Sequence, residues 1–346
     1  MSGGVLGDPS SVATVFGGGS FRYRVAEEWS CLSSGSKFIE VPAVATDSND
    51  RAYVFNRGES PVSVFTPEGD FIGSWGDEAI KRAHGITIGP DDAVYCVDDL
   101  DHTVKKFSTN GELLLTIGVS GRFSDTGATS VDYREIRRAG PPFNFPTNLA
   151  ISPSGDLYVS DGYGNSRVHR FSPAGELLSS WGEPGNGPGQ FHVPHGIAVD
   201  ENGMVFVADR ENDRIQIFHP DGRFEAEWND LARPCEGFID GDSIFYVAEL
   251  GYRSGMWPGV SAPTPTATGG RISVFDAGGE LLARWGGGED PCAPGDFYAP
   301  HDVWADSRGD LYVGEVTWSA GGNRGLVSPD CPSLQKFVRL PEEDRH

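Results

Sequence analysis

A unit of four short β-strands recurs along this chain, and this repeat limits the available folds more than any other feature. In its clearest copy the strands fall at 194–199, 204–209, 214–218 and 222–228, with short polar turns between them. The second strand ends in an acid, the third ends in Phe and the fourth closes on Trp. Four short strands at a regular period are typical of one blade of a β-propeller.

The number of copies predicts an all-β, six-bladed β-propeller. Five complete blades begin near Pro42, Ala83, Pro146, Pro194 and Pro234. A sixth begins at Pro300 and has only three strands, the last at 334–338. The segment from Phe21 to Trp29 has the alternating pattern of the missing outer strand. We therefore predict that it pairs with the last blade and closes the ring, which removes an exposed sheet edge.

The same count predicts a single propeller domain over residues 21–340, with a flexible segment at 1–20 and a tail at 341–346. Two insertions, at 119–145 and 251–270, interrupt the rhythm of the repeat. Long loops inside a compact domain are usually functional or disordered. The sequence does not assign a role to either insertion.

The charge and the cysteine content limit which partners the protein is expected to bind and which compartment it is expected to occupy. The formal net charge of -23 argues against binding to nucleic acid or to anionic membranes. No apolar run is long enough for a membrane helix, and residues 1–20 lack the features of a secretion signal.

The five cysteines have no paired spacing. We therefore expect a reduced, cytoplasmic monomer, although a secreted mature form would look the same.

Aligning the blades places three histidines at one position. The position where the innermost strand begins, called the first slot, is occupied in chain order by Ala43, His84, Thr147, His195, Cys235 and His301. Because the histidines fall on alternate blades, they should converge on the propeller axis. Three imidazoles with an open fourth position form the ligand set of a catalytic zinc site. The alternative is that they cap strands or fill the channel. We interpret the other five histidines as surface or loop residues: His102, His169, His192, His219 and His346.

A second slot lies fourteen residues later, at the end of the second strand, and should return to the same face. Its occupants are Arg57, Asp98, Asp161, Asp209, Glu249 and Glu315. The acids are expected to accept structural hydrogen bonds at strand ends. Arg57 breaks the pattern. Its guanidinium suits an anionic substrate, and the alternative is an ion pair with a neighbouring acid.

Three further residues near these slots have chemical potential. Tyr163 and Arg210 follow the acids of blades 3 and 4, and a tyrosine near zinc and arginine can have a lowered pKa and act as a base. Asp302 follows His301 directly, and an acid there could orient the histidine or bind a second, hard cation.

Several motifs together resemble the peptidylglycine α-amidating lyase family of NHL-repeat propellers. They are the stretches 160–167, 171–173, 189–195 and 208–212, with Ala83-His84-Gly85, Pro300-His301-Asp302 and Phe55-Asn56-Arg57-Gly58. The similarity extends from about Val41 to Val338. It implies a lyase that splits a peptidyl-α-hydroxyglycine into a peptide amide and glyoxylate.

The resemblance also implies a role for each matching residue. His84, His195 and His301 would hold catalytic zinc. Tyr163 would be the base, Arg57 its partner near the substrate carboxylate, and Arg210 a further basic group of the active site. Asp302 would hold a structural calcium ion with the carbonyls of Val44 and Ile86.

The predicted function is therefore cleavage of the C–N bond of a peptidyl- or N-acyl-α-hydroxyglycine, a carbinolamide. The substrate would be a small molecule or peptide that carries a carboxylate. Two alternatives stay open at this point. One is another metal-dependent propeller enzyme, such as a lactone hydrolase or an antibiotic-opening lyase, and the other is a non-catalytic interaction scaffold. Metal analysis would separate them: zinc near one per chain favours the lyase, calcium alone the hydrolase, and no metal the scaffold.

Overall fold

Six antiparallel sheets form the blades of a propeller in the computed structural model, which describes residues 14–27, 29, 38–252 and 268–341. The innermost strand of each blade contacts the innermost strands of both neighbouring blades, and blade 6 contacts blade 1. The ring is therefore closed. The predicted six-bladed fold is confirmed.

The strands of each blade follow one another from the channel outwards. Blades 1 to 3 comprise Ala43–Thr46, Ala52–Phe55, Val62–Phe65 and Phe71–Trp75; then Ala83–Ile88, Val94–Asp98, Thr103–Phe107 and Leu113–Gly118; then Pro146–Ile151, Leu157–Asp161, Arg167–Phe171 and Leu177–Trp181. Blades 4 and 5 comprise Pro194–Val199, Val205–Asp209, Arg214–Phe218 and Phe224–Trp228; then Pro234–Ile239, Phe245–Glu249, Arg271–Phe275 and Leu281–Gly286. A short parallel pair, Glu183–Pro184 with Gln190–Phe191, lies between blades 3 and 4.

Both ends of the chain build blade 6. Its inner strands are Pro300–Ala305, Leu311–Glu315 and Leu334–Arg339, and Phe21–Val25 pairs antiparallel with the last of them. This confirms the predicted closure. A fifth strand, Phe16–Gly18, pairs with Phe21–Val25, so ordered structure begins before the predicted boundary at residue 21. Residues 1–13 and 342–346 lie outside the described part of the chain.

The tryptophan that closes a blade explains why the repeat contains a glycine in its last turn. Trp181 of blade 3 packs on Phe218, which ends the third strand of blade 4, with ring centroids 5.8 Å apart. Gly222 lies over the same indole at a φ of +87°, and a Cβ atom there would approach Trp181 to 2.8 Å. The repeat therefore encodes the packing of one blade on the next.

The longer connections lie mostly in blade 6 and between blades 2 and 3. The short helix Thr317–Ala320 and the 3₁₀ turn Gly322–Arg324 precede the last strand, and another 3₁₀ turn, Tyr133–Glu135, lies in the 119–145 insertion. A third follows the second strand of blade 4 at Arg210–Asn212. Most of the 251–270 insertion lies outside the described residues. Within the described chain, none of the helices is long and apolar enough to cross a membrane.

One expectation about cysteine was wrong. Cys292 and Cys331 form a disulfide that joins the segment before blade 6 to the segment before its third strand, with Cα atoms 4.7 Å apart. Cys96 and Cys235 are free and buried. The spacing of 39 residues gave no sign of this pairing, because disulfide connectivity depends on the fold and not on sequence separation.

Candidate active site

The three histidines of alternate blades meet on the axis, as predicted. His84, His195 and His301 are all buried, with ring centroids 4.6 to 4.9 Å apart. One ligand nitrogen from each lies within 4.8 Å of the others. The alternating pattern in sequence therefore becomes a three-nitrogen cluster on the axis.

Each histidine is oriented by a carbonyl group of the next blade. The Nδ1 atoms of His84, His195 and His301 lie 2.6, 2.9 and 2.7 Å from the carbonyl oxygens of Thr147, Cys235 and Pro42 respectively. Because a carbonyl oxygen can only accept, each Nδ1 carries the hydrogen and each Nε2 keeps its lone pair. Such outer hydrogen bonds fix the tautomer of metal-binding histidines.

Electrostatics favours the neutral, metal-binding form of the cluster. Burial lowers the pKa of His84 and His195 well below the ordinary value, and the nearby His301 lowers it further. Burial, with the charge of Arg57, lowers the pKa of His301 to about 3. The Nε2 atom of His84 is buried without a hydrogen-bond partner among the described residues. An unpartnered nitrogen in a set of three neutral imidazoles fits a divalent metal ion.

The register of blade 1 corrects the alignment by one residue. Ala43 pairs with Phe55, as Asp302 pairs with Gly314 in blade 6. Pro42, and not Ala43, is therefore equivalent to His301. It follows that Asn56, and not Arg57, takes the second slot.

Arg57 lies one residue beyond that slot, in the same position as Arg210 of blade 4. Their backbone N–H groups make equivalent bonds, to Glu40 and Val193. The Arg57 guanidinium donates to the Glu40 carboxylate at 2.6 Å, to the Ala83 carbonyl at 3.0 Å and to Ser319 Oγ at 3.4 Å. Arg57 therefore has the predicted ion pair and still lines the pocket above the histidines.

The five acids of the second slot have the structural role expected of them. All five side chains are fully buried. Each accepts a backbone N–H from the segment leading into its own blade: Asp98 from Lys81 and Arg82, Asp161 from Asn144, Asp209 from His192, Glu249 from Ala232, and Glu315 from Tyr298 and Ala299. They anchor the innermost strands that carry the first slot.

Tyr163 contacts the histidine cluster directly. Its hydroxyl lies 3.1 Å from Nε2 of His195, and the Arg210 guanidinium lies 5.4 Å from the centre of its ring. Gly162 makes this approach possible, since a Cβ atom there would meet the Pro194 carbonyl oxygen at 2.2 Å. Burial raises the pKa of Tyr163, while Arg210 and Arg57 oppose the rise. The lowered pKa that the sequence analysis expects of a tyrosine beside zinc and arginine stays a prediction.

Arg210 points an unused hydrogen-bond donor into the protein interior. Its Nε donates to Glu211 at 2.8 Å, and its Nη2 atom is buried without a hydrogen-bond partner among the described residues. Glu211 also accepts from Arg233 at 2.8 Å. Two guanidinium groups therefore share one carboxylate.

A pocket of about 230 Å³ lies above the histidine cluster. It is lined by Arg57, Arg82, Val131, Tyr163, Arg210, Leu250, His301, Val316, Ser319 and Ala320. Val131 comes from the 119–145 insertion, so that insertion builds one wall of the site. Ser319 and Ala320 come from the short helix of blade 6. Sequence reasoning missed Arg82, which lies two residues before the first slot of blade 2, as Arg233 does in blade 5.

The predicted calcium position lies deeper in the channel. Asp302 is buried, and its Oδ2 accepts the Val44 N–H at 2.7 Å. Ile86 and Asp302 line one cavity of about 600 Å³. The structure thus brings these three residues together, while ligation by the two carbonyls stays a prediction.

Glu236 is a second carboxyl group at this level, which the sequence analysis did not single out. It directly follows the first slot in blade 5, as Asp302 does in blade 6, and comparing that position across all blades would have found it. Burial raises the pKa of Asp302 to about 7, and burial with the charge of Asp302 raises that of Glu236 well above its ordinary value. Neither carboxyl group bonds to a basic side chain within the described ranges. Two such carboxyl groups fit a hard cation such as calcium.

Two of the remaining histidines differ from their predicted surroundings. His169 is fully buried and lies 2.8 Å from Ser180 Oγ, and His102 is also buried. His192 and His219 are partly exposed, as expected, and His346 lies outside the described residues. Within the described part of the chain, the first-slot histidines are the only cluster of three or more His, Cys, Asp or Glu side chains that could hold a metal ion.

Comparison with known proteins agrees with the fold. A sequence model of the NHL repeat matches residues 143–171 and 191–218, which are the first three strands of blades 3 and 4. The chain is an NHL-repeat β-propeller. It is 34% identical over 199 residues to human NHL repeat-containing protein 3, with 54% of each sequence covered.

Other relatives are named as amidating enzymes. This propeller is 29% identical over 370 residues to mouse peptidyl-glycine alpha-amidating monooxygenase, covering 94% of the chain and 34% of that protein. It is 30% identical over 271 residues to peptidyl-alpha-hydroxyglycine alpha-amidating lyase 1 of Drosophila melanogaster, covering 70% of the chain and 44% of that protein. The NHL-repeat propeller thus spans about half or less of the length of these relatives.

Solved structures show the same fold at low sequence identity. A streptogramin B lyase structure matches with a TM-score of 0.57 and 11% identity, covering 92% of this chain and 98% of that one. A gluconolactonase from Xanthomonas campestris matches with a TM-score of 0.57 and 12% identity, covering 93% and 91%. At such identities the likeness shows the fold alone.

Proposed function

We propose that this NHL-repeat propeller is a zinc-dependent lyase that cleaves peptidyl- or N-acyl-α-hydroxyglycine to an amide and glyoxylate. The observation that carries the proposal is the contact between the Tyr163 hydroxyl and Nε2 of His195, within a cluster of three neutral histidines and below a pocket lined by arginines. The amidating relatives point to the same chemistry.

Binding and orientation come from the arginines. Arg57 and Arg210 lie at equivalent positions on blades 1 and 4, and both line the pocket with Tyr163. A guanidinium pairs with a carboxylate through two parallel hydrogen bonds. These two residues would hold the glycine carboxylate so that the α-hydroxyl group faces Tyr163.

The reaction needs one proton to move from oxygen to nitrogen. Tyr163, in its phenolate form, would accept the hydroxyl proton, the C–O bond would become a carbonyl and the C–N bond would break. The departing amide nitrogen would take up a proton, which Tyr163 can return. A zinc ion held by His84, His195 and His301 would supply Lewis acidity for the substrate and positive charge that favours the phenolate.

The remaining assignments are also proposals. Asp302, with Val44, Ile86 and Glu236, would hold a structural calcium ion. The protein would act as a monomer on a carboxylate-bearing small molecule or peptide, without nucleic acid or membrane partners. The Cys292–Cys331 disulfide favours the secreted alternative over the cytoplasmic location, because disulfides persist in oxidising compartments.

Product analysis with N-benzoyl-α-hydroxyglycine tests the function. The zinc-loaded protein should release benzamide and glyoxylate in equal amounts and faster than the uncatalysed reaction. His195→Ala should abolish this release, and Arg223→Gln, a change on the exposed surface, should not alter it. Release of benzoate would indicate amide hydrolysis and would contradict the proposal.

A further inference from the structure

The pocket above the histidines contains a third arginine that the proposed reaction does not use. Arg82 lies in blade 2, two residues before His84, and lines the pocket with Arg57, Arg210 and Tyr163. Binding of the glycine carboxylate is accounted for by Arg57 and Arg210. A further guanidinium in a pocket of about 230 Å³ therefore needs its own explanation.

Asp99 holds the Arg82 side chain in a fixed orientation. Arg82 Nε donates to Oδ1 of Asp99 at 2.7 Å and Nη2 donates to Oδ2 at 2.5 Å. Asp99 is fully buried, whereas the Arg82 side chain keeps 31% of its surface exposed. Its Nη1 atom makes no hydrogen bond to any residue that the structure describes. The edge formed by Nη1 and Nη2 is therefore available to a ligand.

The charges around the pocket leave room for more than one anion. Arg57 is paired with Glu40 and Arg82 with Asp99, while Arg210 and Arg233 share Glu211. Each of the three guanidinium groups that line the pocket thus has one carboxylate partner. A bound divalent cation would add further positive charge, so a dianionic substrate suits the pocket better than a monoanionic one.

The rest of the pocket wall limits the length and character of the acyl group. Val131, Leu250, Val316 and Ala320 form an apolar surface. The volume lies below the range of about 300–1,000 Å³ that is usual for ligand pockets. A short aliphatic chain can pack against this surface while its far end reaches a guanidinium.

We propose that Arg82 is a specificity-determining residue that binds a second carboxylate, at the end of a short acyl group. The substrate class would be an N-acyl-α-hydroxyglycine whose acyl chain ends in a carboxylate, such as the succinyl compound. This inference rests on the proposed lyase function. The products would be the corresponding carboxy-amide and glyoxylate.

A matched pair of substrates tests the inference. N-succinyl-α-hydroxyglycine and its terminal amide have nearly the same shape and differ in one charge. The zinc-loaded wild-type protein should prefer the succinyl compound by about tenfold or more in kcat/KM, as expected for a charge-assisted pair. Arg82→Gln should remove most of this preference, and Arg82→Lys should restore part of it. Arg223→Gln should keep the full preference.

Product binding separates failure of this inference from failure of the proposed function. Calorimetry should show that succinamate, the expected amide product, binds the wild-type protein at least about tenfold more tightly than it binds Arg82→Gln. Glyoxylate release without a succinyl preference would overturn the inference and leave the function standing. The inference would also be overturned if Arg82→Gln kept the wild-type preference. If no substrate released glyoxylate while succinamate still bound through Arg82, the lyase function would be wrong and the anion site would stand.

Discussion

The hydroxyl of Tyr163 lies 3.1 Å from Nε2 of His195, on the side of the imidazole that a metal ion would occupy. The opposite nitrogen, Nδ1, is committed to the Cys235 carbonyl. One residue of blade 3 and one of blade 4 thus share the point at which metal and substrate would meet. This contact places the Tyr163 hydroxyl where the proposed reaction would need a base.

Replacing Tyr163 by Phe should separate chemistry from metal binding. The change keeps the aromatic ring and removes the hydroxyl group, so bound zinc should stay near the wild-type amount. We expect kcat to fall by about 10²–10⁴-fold, the usual effect of losing a positioned general base, with a smaller change in KM. Glyoxylate assays and zinc analysis check both parts. A kcat near the wild-type value would exclude tyrosine as the base.

Arg57→Lys should weaken recognition of the glycine carboxylate. Lysine keeps the charge but loses the planar fork, which now bonds to both Glu40 and the Ala83 carbonyl. We expect KM for a carboxylate substrate to rise and kcat to fall. A substrate analogue with its glycine carboxylate amidated should respond much less to the change. Equal losses for both compounds would indicate that Arg57 acts on the fold and not on the carboxylate.

The N-terminal strand should contribute strongly to stability. Tyr23 is fully buried, and its ring lies 5.3 Å from that of Trp285 in blade 5. Tyr23→Ala should lower the free energy of unfolding by about 3–5 kcal/mol, the cost of removing a large buried aromatic ring. Arg24→Ala, at the exposed position next to it, should change it by less than about 0.5 kcal/mol. If denaturant unfolding gave similar values for both variants, the ring would not depend on this strand.

Glu315 should make stability fall as the pH rises. Burial raises its pKa to about 8, so the folded protein holds a proton that the unfolded chain, with an ordinary pKa of about 4.3, releases. The stabilisation is complete below about pH 4.3 and is lost as the pH rises towards 8.

The corresponding test compares two variants. Glu315→Gln mimics the neutral carboxyl group and should remove up to about 1.4 kcal/mol per pH unit from the pH dependence of the free energy of unfolding between pH 4.5 and 8. Glu176→Gln alters an exposed carboxylate and should leave the wild-type dependence. An unchanged slope in Glu315→Gln would show that this group is ionised at neutral pH.

The repeat predicted most of the fold and the meeting of three histidines on the axis. The first slot depends only on counting from strand to strand, so the positions of His84, His195 and His301 followed directly. The sequence alignment of blade 1 was wrong by one residue. It assumed that the proline directly precedes the first slot, as it does in blades 3 to 6. A proline commonly begins a strand, but Pro42 lies one residue further into the blade and occupies the histidine slot itself.

Features that depend on contacts between separate segments could not be predicted in this way. Arg82 reaches the pocket because Asp99, in the turn after the second strand, fixes it there. The Cys292–Cys331 disulfide depends on how two long connections meet in space. The raised pKa of Tyr163 is a consequence of burial, which the sequence analysis did not assess at that position.

Titration of metal-free protein with zinc, with glyoxylate release measured at each step, tests the central claim most directly. The account predicts that activity rises in proportion to bound zinc and reaches its maximum at one equivalent per chain. His84→Ala, His195→Ala and His301→Ala should each lose most of the bound zinc and the activity, while His219→Ala, which alters a partly exposed histidine paired with Glu225, should match the wild type. Full glyoxylate release from protein without metal, or none from protein that holds one zinc ion at the three histidines, would contradict the account.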